Sequence, residues 1–312
     1  MFGDHTAALD VMTLLNTMAV TAQNTSFGAD NFYRSNNVQI QPIMFPTLYR
    51  TDVAGNLFLP RNLSRSVENP VIVVGHPMGA VKERSANLYA TKLAEDGFAT
   101  VSIHLPHWGG SKGDPRNAVS AEYYAEAFSA AVDYLGLQDF VNPSMYDMGA
   151  VTRNGLENSQ TLAQRELFEA AVAQRWNESE GAEPELVGGT VNRRQDATDP
   201  IQQEFHDFYC TTRGEVAPLG ALPSTMTHPM HASQVKFLNF YPVNEIDTIS
   251  PRPLLFITGD QAHSREFSQD GYNRAAEPKE LIWVPGAGHV DLYDRVELIP
   301  FDRLGRFFRS NL

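Results

Sequence analysis

From about Val38 onward the chain switches between two hydrophobic periodicities. The run Val71-Ile-Val-Val-Gly75 is short, β-branched and apolar up to its glycine, the pattern of a strand buried on both faces of a parallel sheet. Between Lys82 and Glu95 the period changes: Ala86, Tyr89, Ala90 and Leu93 recur at helical spacing, and Gly97 stands in the stop position. Phe98 to Ile103 reads as the next strand. A Gly/Pro-rich loop from Pro106 to Pro115 then leads to a helix over about Val119 to Leu135, where Tyr124, Phe128, Ala131 and Leu135 share a face. Strand, helix, strand, helix is a parallel α/β signature.

The alternation is lost from about Ala150 to Asn244. Phe168, Val172 and Trp176 mark one amphipathic helix there, and Ile201, Phe205 and Phe208 mark another. Gly188-Gly189 and a Pro-, Thr- and His-rich loop (Pro218 to Pro229) lie between and after them. The α/β pattern returns with a strand at Pro253–Thr258, a helix over Glu266–Ala276, a strand at Glu280–Val284 and a closing helix over about Asp291–Phe308. The expected organisation is an N-terminal extension (1–37), a first core part (38–149), a mainly helical cap (150–244) and a second core part (245–312). Ala7 to Ala22 is fairly apolar but contains Asp10, and no Lys or Arg precedes Arg34. It reads as a helical or partly disordered extension rather than a secretory signal.

Composition narrows the function more than the fold. The 312 residues suffice for a sizeable core, and 42% hydrophobic with 20% charged residues excludes disordered and fibrous classes. Lys+Arg 24 against Asp+Glu 37 gives a net charge of −13, which argues against nucleic acid or an anionic membrane as partner, since either requires a basic face. Cys210 is the single cysteine. An intrachain disulfide and a thiolate metal cluster are thereby excluded, and a reducing, cytoplasmic location is expected. No apolar run approaches the roughly 18 residues of a membrane span.

Three segments carry candidate chemistry. Gly286-Ala-Gly-His289 places an imidazole in a glycine turn after the last predicted parallel strand, at the sheet edge where open α/β folds bind ligands. His289 there suits a general base; the plain alternative is a loop histidine with no task. Gly75-His-Pro-Met-Gly79 is a strand-end turn whose backbone N–H groups can hold an oxyanion. Pro77 has no N–H, so Met78, Gly79 and Ala80 are the donors. Asp260 follows the strand ending at Thr258 and is the candidate acid to orient His289, although many such loops carry the acid later, where Ala262 and His263 stand here.

Several long segments resemble one group of α/β-hydrolases. They are Val73-Val-Gly-His-Pro-Met-Gly-Ala-Val-Lys-Glu83, His107-Trp-Gly-Gly-Ser111 with Asp114-Pro-Arg-Asn117, and Ser144-Met-Tyr-Asp-Met-Gly149. Arg153-Asn-Gly155, Gly259-Asp-Gln-Ala-His-Ser-Arg265 and Pro285-Gly-Ala-Gly-His-Val-Asp-Leu-Tyr-Asp294 complete the set. The group includes uncharacterised bacterial hydrolases and the fungal polyketide transferases of fumagillin-type clusters, and the likeness runs from about Asn31 to Leu312. It implies an eight-stranded-type sheet with a helical cap. The implied activity is transfer or hydrolysis of an acyl group, often a polyketide held as a thioester on a synthase. An acyl substrate, free or carrier-bound, and a polyketide synthase are the implied partners, without a cofactor.

The chain departs from that pattern where the group carries its nucleophile. After the helix ending near Leu135 the pattern calls for a strand, a Gly-x-Ser/Cys-x-Gly elbow and a helix, but Leu137-Gln-Asp-Phe-Val-Asn-Pro143 runs straight into Ser144. By the resemblance, a strand–helix–strand unit on the order of 30 residues is absent. Gly109-Gly-Ser-Lys-Gly113 matches the elbow literally, but Ser111 lies deep in a long loop rather than on a turn joining strand to helix. Ser111 and the cap residue Cys210 are thus weak nucleophile candidates. His228 with His231, and His76 with His104 and His107, have no spacing diagnostic of a metal site, and no metal is expected. The chain as written is expected to be poorly stable and inactive toward esters and thioesters. A non-catalytic relative that binds an acyl intermediate or a partner, and the product of a damaged or mis-spliced gene, are the alternatives.

Overall fold

The computed structural model describes residues 33–138, 146–147, 162–215, 223–225, 227–238 and 243–312. A long antiparallel hairpin, β1 (Val38–Pro46) and β2 (Asp52–Pro60), opens the fold. Next comes a parallel unit in which β3 (Val71–Val74) crosses through α1 (Ala86–Glu95) to β4 (Ala99–Ile103). Helix α2 (Ala121–Gly136) follows, and the short β5 (Tyr146–Asp147) pairs in parallel with β3. The strand order is β1-β2-β4-β3-β5, with β2 antiparallel to β4.

The sheet is covered on both faces, which explains the continuous apolar run of β3. Val71 and Val73 turn to the layer holding α2, with Val101, Ile103, Tyr124, Phe128, Ala131 and Leu135. Ile72 and Val74 turn to the opposite layer, against Leu88 and Leu93 of α1. All four β3 residues are buried, and each such side chain contributes about 1.5–3 kcal/mol of burial.

Between 150 and 244 the described α-helices are α3 (Leu162–Ser179), α4 (Pro200–Tyr209) and the short α5 (Gln234–Leu238). Asp199 caps α4 through Gln202 N–H at 2.9 Å, and Pro200 occupies its first turn. The C-terminal part contains β6 (Leu254–Gly259), α6 (Arg265–Arg274), β7 (Lys279–Val284), α7 (Asp291–Asp294) and α8 (Phe301–Asn311).

Two expectations are corrected here. A single parallel sheet was predicted to contain both the Val71 and the Leu254 strands. Among the described residues, however, β6 and β7 form a separate two-stranded parallel sheet. Leu254 to Ile257 are correspondingly half-buried, where an interior strand would bury them. The two parts remain joined through packing, since Leu255, Ile257, Leu304 and Phe308 share the layer of Ile72, Val74 and α1. The predicted closing helix is in fact two: α7 ends where Arg295 leaves helical geometry, and α8 starts after Pro300, which stands at its N-cap position. The predicted elbow gap, between Pro143 and Ser144, lies outside the described residues.

Candidate functional site

His289 sits where the glycine turn after β7 meets α7, and it is largely buried. Its Nδ1 lies 2.5 Å from Ser264 Oγ and its Nε2 lies 2.9 Å from the Tyr293 hydroxyl. The His263 ring stands 4.6 Å away, centroid to centroid, and the Phe205 ring of the cap at 5.5 Å. Burial first, and the neighbouring His263 second, lower the His289 pKa to about 4. The imidazole is therefore neutral at physiological pH and can accept a proton.

Asp260 occupies the predicted strand end but does not engage His289. Its Oδ1 accepts from Gly286 N–H at 2.8 Å and from Gln261 Nε2 at 3.0 Å. The carboxylate thus pins the turn that carries the histidine, and the predicted acid-to-base bond is replaced by the Ser264 contact. A hydroxyl further along the same loop reaches the ring where the aspartate does not.

A carboxylate from α4 reaches the loop that carries His289. Glu204 of α4 accepts from Val290 N–H at 3.1 Å through Oε1, while its Oε2 stands 3.8 Å from His263 Nδ1. Burial opposes its ionisation, but the facing His263, the Val290 N–H and the nearby His289 ring outweigh burial and lower its pKa. Sequence reading missed Glu204. The available signal was its position on α4, beside Phe205 and one turn from the buried Phe208.

The Gly75–Gly79 turn meets the same region. Ala80 shares a packed cluster with Val290, Phe208 and Tyr209, with Tyr293 against it. Ala80 N–H is spent on Pro77 O at 3.1 Å, whereas Met78 and Gly79 N–H have no acceptor among the described residues. The available oxyanion donors thus narrow from three to two. Gly79 has φ +70, and a Cβ there would meet Thr227 O at 3.4 Å, so this turn tolerates a glycine far better than any other residue.

Ser111 is buried and held by hydrogen bonds on both sides of its hydroxyl. It is 2% exposed; its Oγ donates to His104 O at 2.8 Å and accepts from Ala54 N–H at 2.9 Å. Directly beside it lies a buried ionic cluster. Glu83 joins Lys82 through one oxygen and His104 Nε2, at 2.7 Å, through the other. His104 Nδ1 accepts from Gly110 N–H at 3.0 Å, so its proton sits on Nε2 and faces the carboxylate. His76 Nε2 accepts from Leu105 N–H at 2.9 Å, and His107 Nδ1 donates to Pro115 O at 2.8 Å. These three histidines brace the loop after β4. His231 pairs with Glu185 at 3.0 Å. Cys210 is half-buried at the end of α4, its thiol raised by burial and facing Val191 O. Among the described residues no group of three or more His, Cys, Asp or Glu can hold a metal. No described helix is long and apolar enough to cross a membrane.

No protein-family model matches the chain. The Pseudomonas aeruginosa protein PA2218 is 38% identical over 322 aligned residues, covering 90% of this chain and 83% of the relative. Its crystal structure superposes with a TM-score of 0.78, covering 91% of this chain and 97% of that one at 36% identity. The α/β-hydrolase GrgF from Penicillium sp. sh18 aligns with a TM-score of 0.71 at 20% identity, covering 88% and 99% of the two chains. Est1E from Butyrivibrio proteoclasticus, solved with ferulic acid bound, aligns with a TM-score of 0.54 at 16% identity, covering 86% and 98%. By its likeness to PA2218 in sequence and in structure, the chain belongs to the PA2218 family and carries the α/β-hydrolase fold.

Proposed function

We propose that this chain derives from an acyl-processing enzyme, one that transfers a polyketide or hydrolyses a thioester within a biosynthetic cluster, with His289 as its general base. The observation that carries the reading is the largely buried imidazole at the strand edge, held beside a turn in which the Met78 and Gly79 N–H groups have no acceptor among the described residues. Acyl transfer requires those two elements together: a base to take the nucleophile's proton and donors aimed at the oxyanion. The resemblance to the polyketide-transferase group supplies the substrate class.

The third element, a nucleophile on an elbow, is proposed to be missing from this chain. Gly109–Gly113 is the one Gly-x-Ser-x-Gly in the sequence, and Ser111 is locked in two hydrogen bonds. The alignment with PA2218 runs over 322 residues, more than the 312 of the chain, so the relative carries stretches without a counterpart here. The isolation of the β6–β7 pair from the main sheet fits the loss of strands between β5 and β6. We expect a cytoplasmic protein without cofactor or metal. Asp260 serves as turn anchor in this reading.

The test is to read the genomic DNA between the codons for Pro143 and Ser144 and to assay a chain with a strand–elbow–helix segment inserted there. An in-frame Gly-x-Ser/Cys-x-Gly in the DNA, and thioester turnover that needs His289, support the proposal. Tight acyl binding without turnover in both chains would favour the non-catalytic binding relative instead.

A further inference from the structure

We propose that Glu204, delivered by the cap helix α4, is the carboxylate that balances charge on His289, so that seating of the cap sets the strength of the base. This deepens the functional reading and rests on it for the role of His289, but the coupling itself is a property of the folded chain.

Four observations carry it. Asp260, the carboxylate of the strand-end loop, is committed to Gly286 N–H and Gln261. Glu204 Oε1 accepts from Val290 N–H at 3.1 Å, next in sequence to the base, and its other oxygen faces His263. The His263 ring in turn lies 4.6 Å from the His289 ring, with Phe205 packed against both. Finally, Gly288 leaves room for this approach, because a Cβ there would stand 2.5 Å from Glu204 Oε1.

The other groups around His289 do not supply this charge. Ser264 and Tyr293 offer neutral hydroxyls. Asp291 accepts from Gly288 N–H at 2.8 Å. Asp291 and Asp294 are both paired with Arg213, which holds Asp294 at 2.7 and 3.0 Å. That clamp also ties the segment just after α4 to α7, so this region and the His289 loop are fastened at two points. A proton arriving on His289 creates a buried cation, and a carboxylate one histidine away stabilises it far more than it would in water. Removing that charge weakens the base, whereas losing a merely structural contact leaves its protonation unchanged. Glu204 is therefore a positioning residue acting through His263 and the Val290 amide.

The experiment is an NMR titration of the His289 ring in the full chain labelled at histidine Cε1, with the amide spectrum monitoring the fold. Glu204→Gln should move the His289 midpoint to lower pH, Glu204→Asp should restore most of the shift, and Asp260→Asn should leave it in place. Gly288→Ala, which displaces Glu204, should shift it in the same direction and add nothing on top of Glu204→Gln. An unmoved midpoint in Glu204→Gln, or an equal shift in Asp260→Asn, would overturn the proposal. If Glu204→Gln shifts the midpoint but acyl turnover in the segment-bearing chain ignores His289, the coupling stands and the base role falls.

Discussion

Ser264 Oγ stands 2.5 Å from His289 Nδ1, and the Tyr293 hydroxyl stands 2.9 Å from Nε2 of the same ring. Both nitrogens are thus held by neutral hydroxyls, one from the loop after β6 and one from α7. In a Ser-His-Asp triad one nitrogen faces a carboxylate and the other faces the nucleophile. Here the hydroxyl of Ser264 fills the first position. Tyr293 fills the second, the place where a nucleophile would donate its proton.

That arrangement gives the first prediction. In a chain carrying the inserted elbow segment, His289→Ala should lower acyl turnover by several orders of magnitude, as loss of a triad base does. Ser264→Ala removes one orienting hydrogen bond, worth about 0.5–1.5 kcal/mol, and should cost roughly tenfold or less. Steady-state kinetics on both variants checks the ranking.

Ser111→Ala should act on stability, not on chemistry. It leaves Ala54 N–H without its acceptor in a partly buried position, at a cost of about 1–3 kcal/mol. Chemical denaturation should show the loss, while any ester or thioester turnover in the segment-bearing chain stays at its starting level. A loss of turnover with unchanged stability would make Ser111 a reacting group.

Glu83→Gln should be among the most damaging single substitutions. Glu83 is fully buried between Lys82 and His104, and His104 and Lys82 overcome its burial to hold its carboxyl well below the usual range. Removing one partner of such a cluster leaves an uncompensated buried cation, worth about 3–5 kcal/mol. The midpoint of urea unfolding reports it.

Acid should destabilise the fold before its carboxylates titrate. His76 is lowered to about 3, by burial first and by His104 second, and His289 to about 4. Each folded value lies below the ordinary histidine value near 6.5, so the unfolded chain binds more protons in that window. Their stabilising contribution is complete above about pH 6.5 and falls as pH drops toward about 4 for His289 and about 3 for His76. The loss from His289 is on the order of 3 kcal/mol. Unfolding free energy measured against pH should show this slope, and His289→Gln should flatten it.

The parallel unit was legible because β3, α1 and β4 write their burial directly into sequence. The uniform Val71–Val74 run matches two covered faces, and Ala86, Ala90 and Leu93 match the inward face of α1. The position of His289 in a turn after a strand was legible, as was that of Met78 and Gly79 in the turn after β3. The hairpin of β1 and β2 was not named, because Pro42 and Gly55 interrupt its alternation and β1 has an exposed face. The acid was harder still. Asp260 has the right sequence position, but which groups it bonds is decided by the close fold of the Gly286 turn. Glu204 is far from His289 in sequence, and only the docking of α4 brings the two together.

We propose that His289 and the Met78–Gly79 turn are the base and oxyanion turn of an acyl-processing enzyme whose nucleophile segment is missing from this chain. The most direct test is thioester hydrolysis by the chain as it stands, beside a version with an elbow segment inserted between Pro143 and Ser144. The account predicts no turnover above the His289→Ala background for the first, and His289-dependent turnover for the second. Comparable turnover by both chains would contradict it.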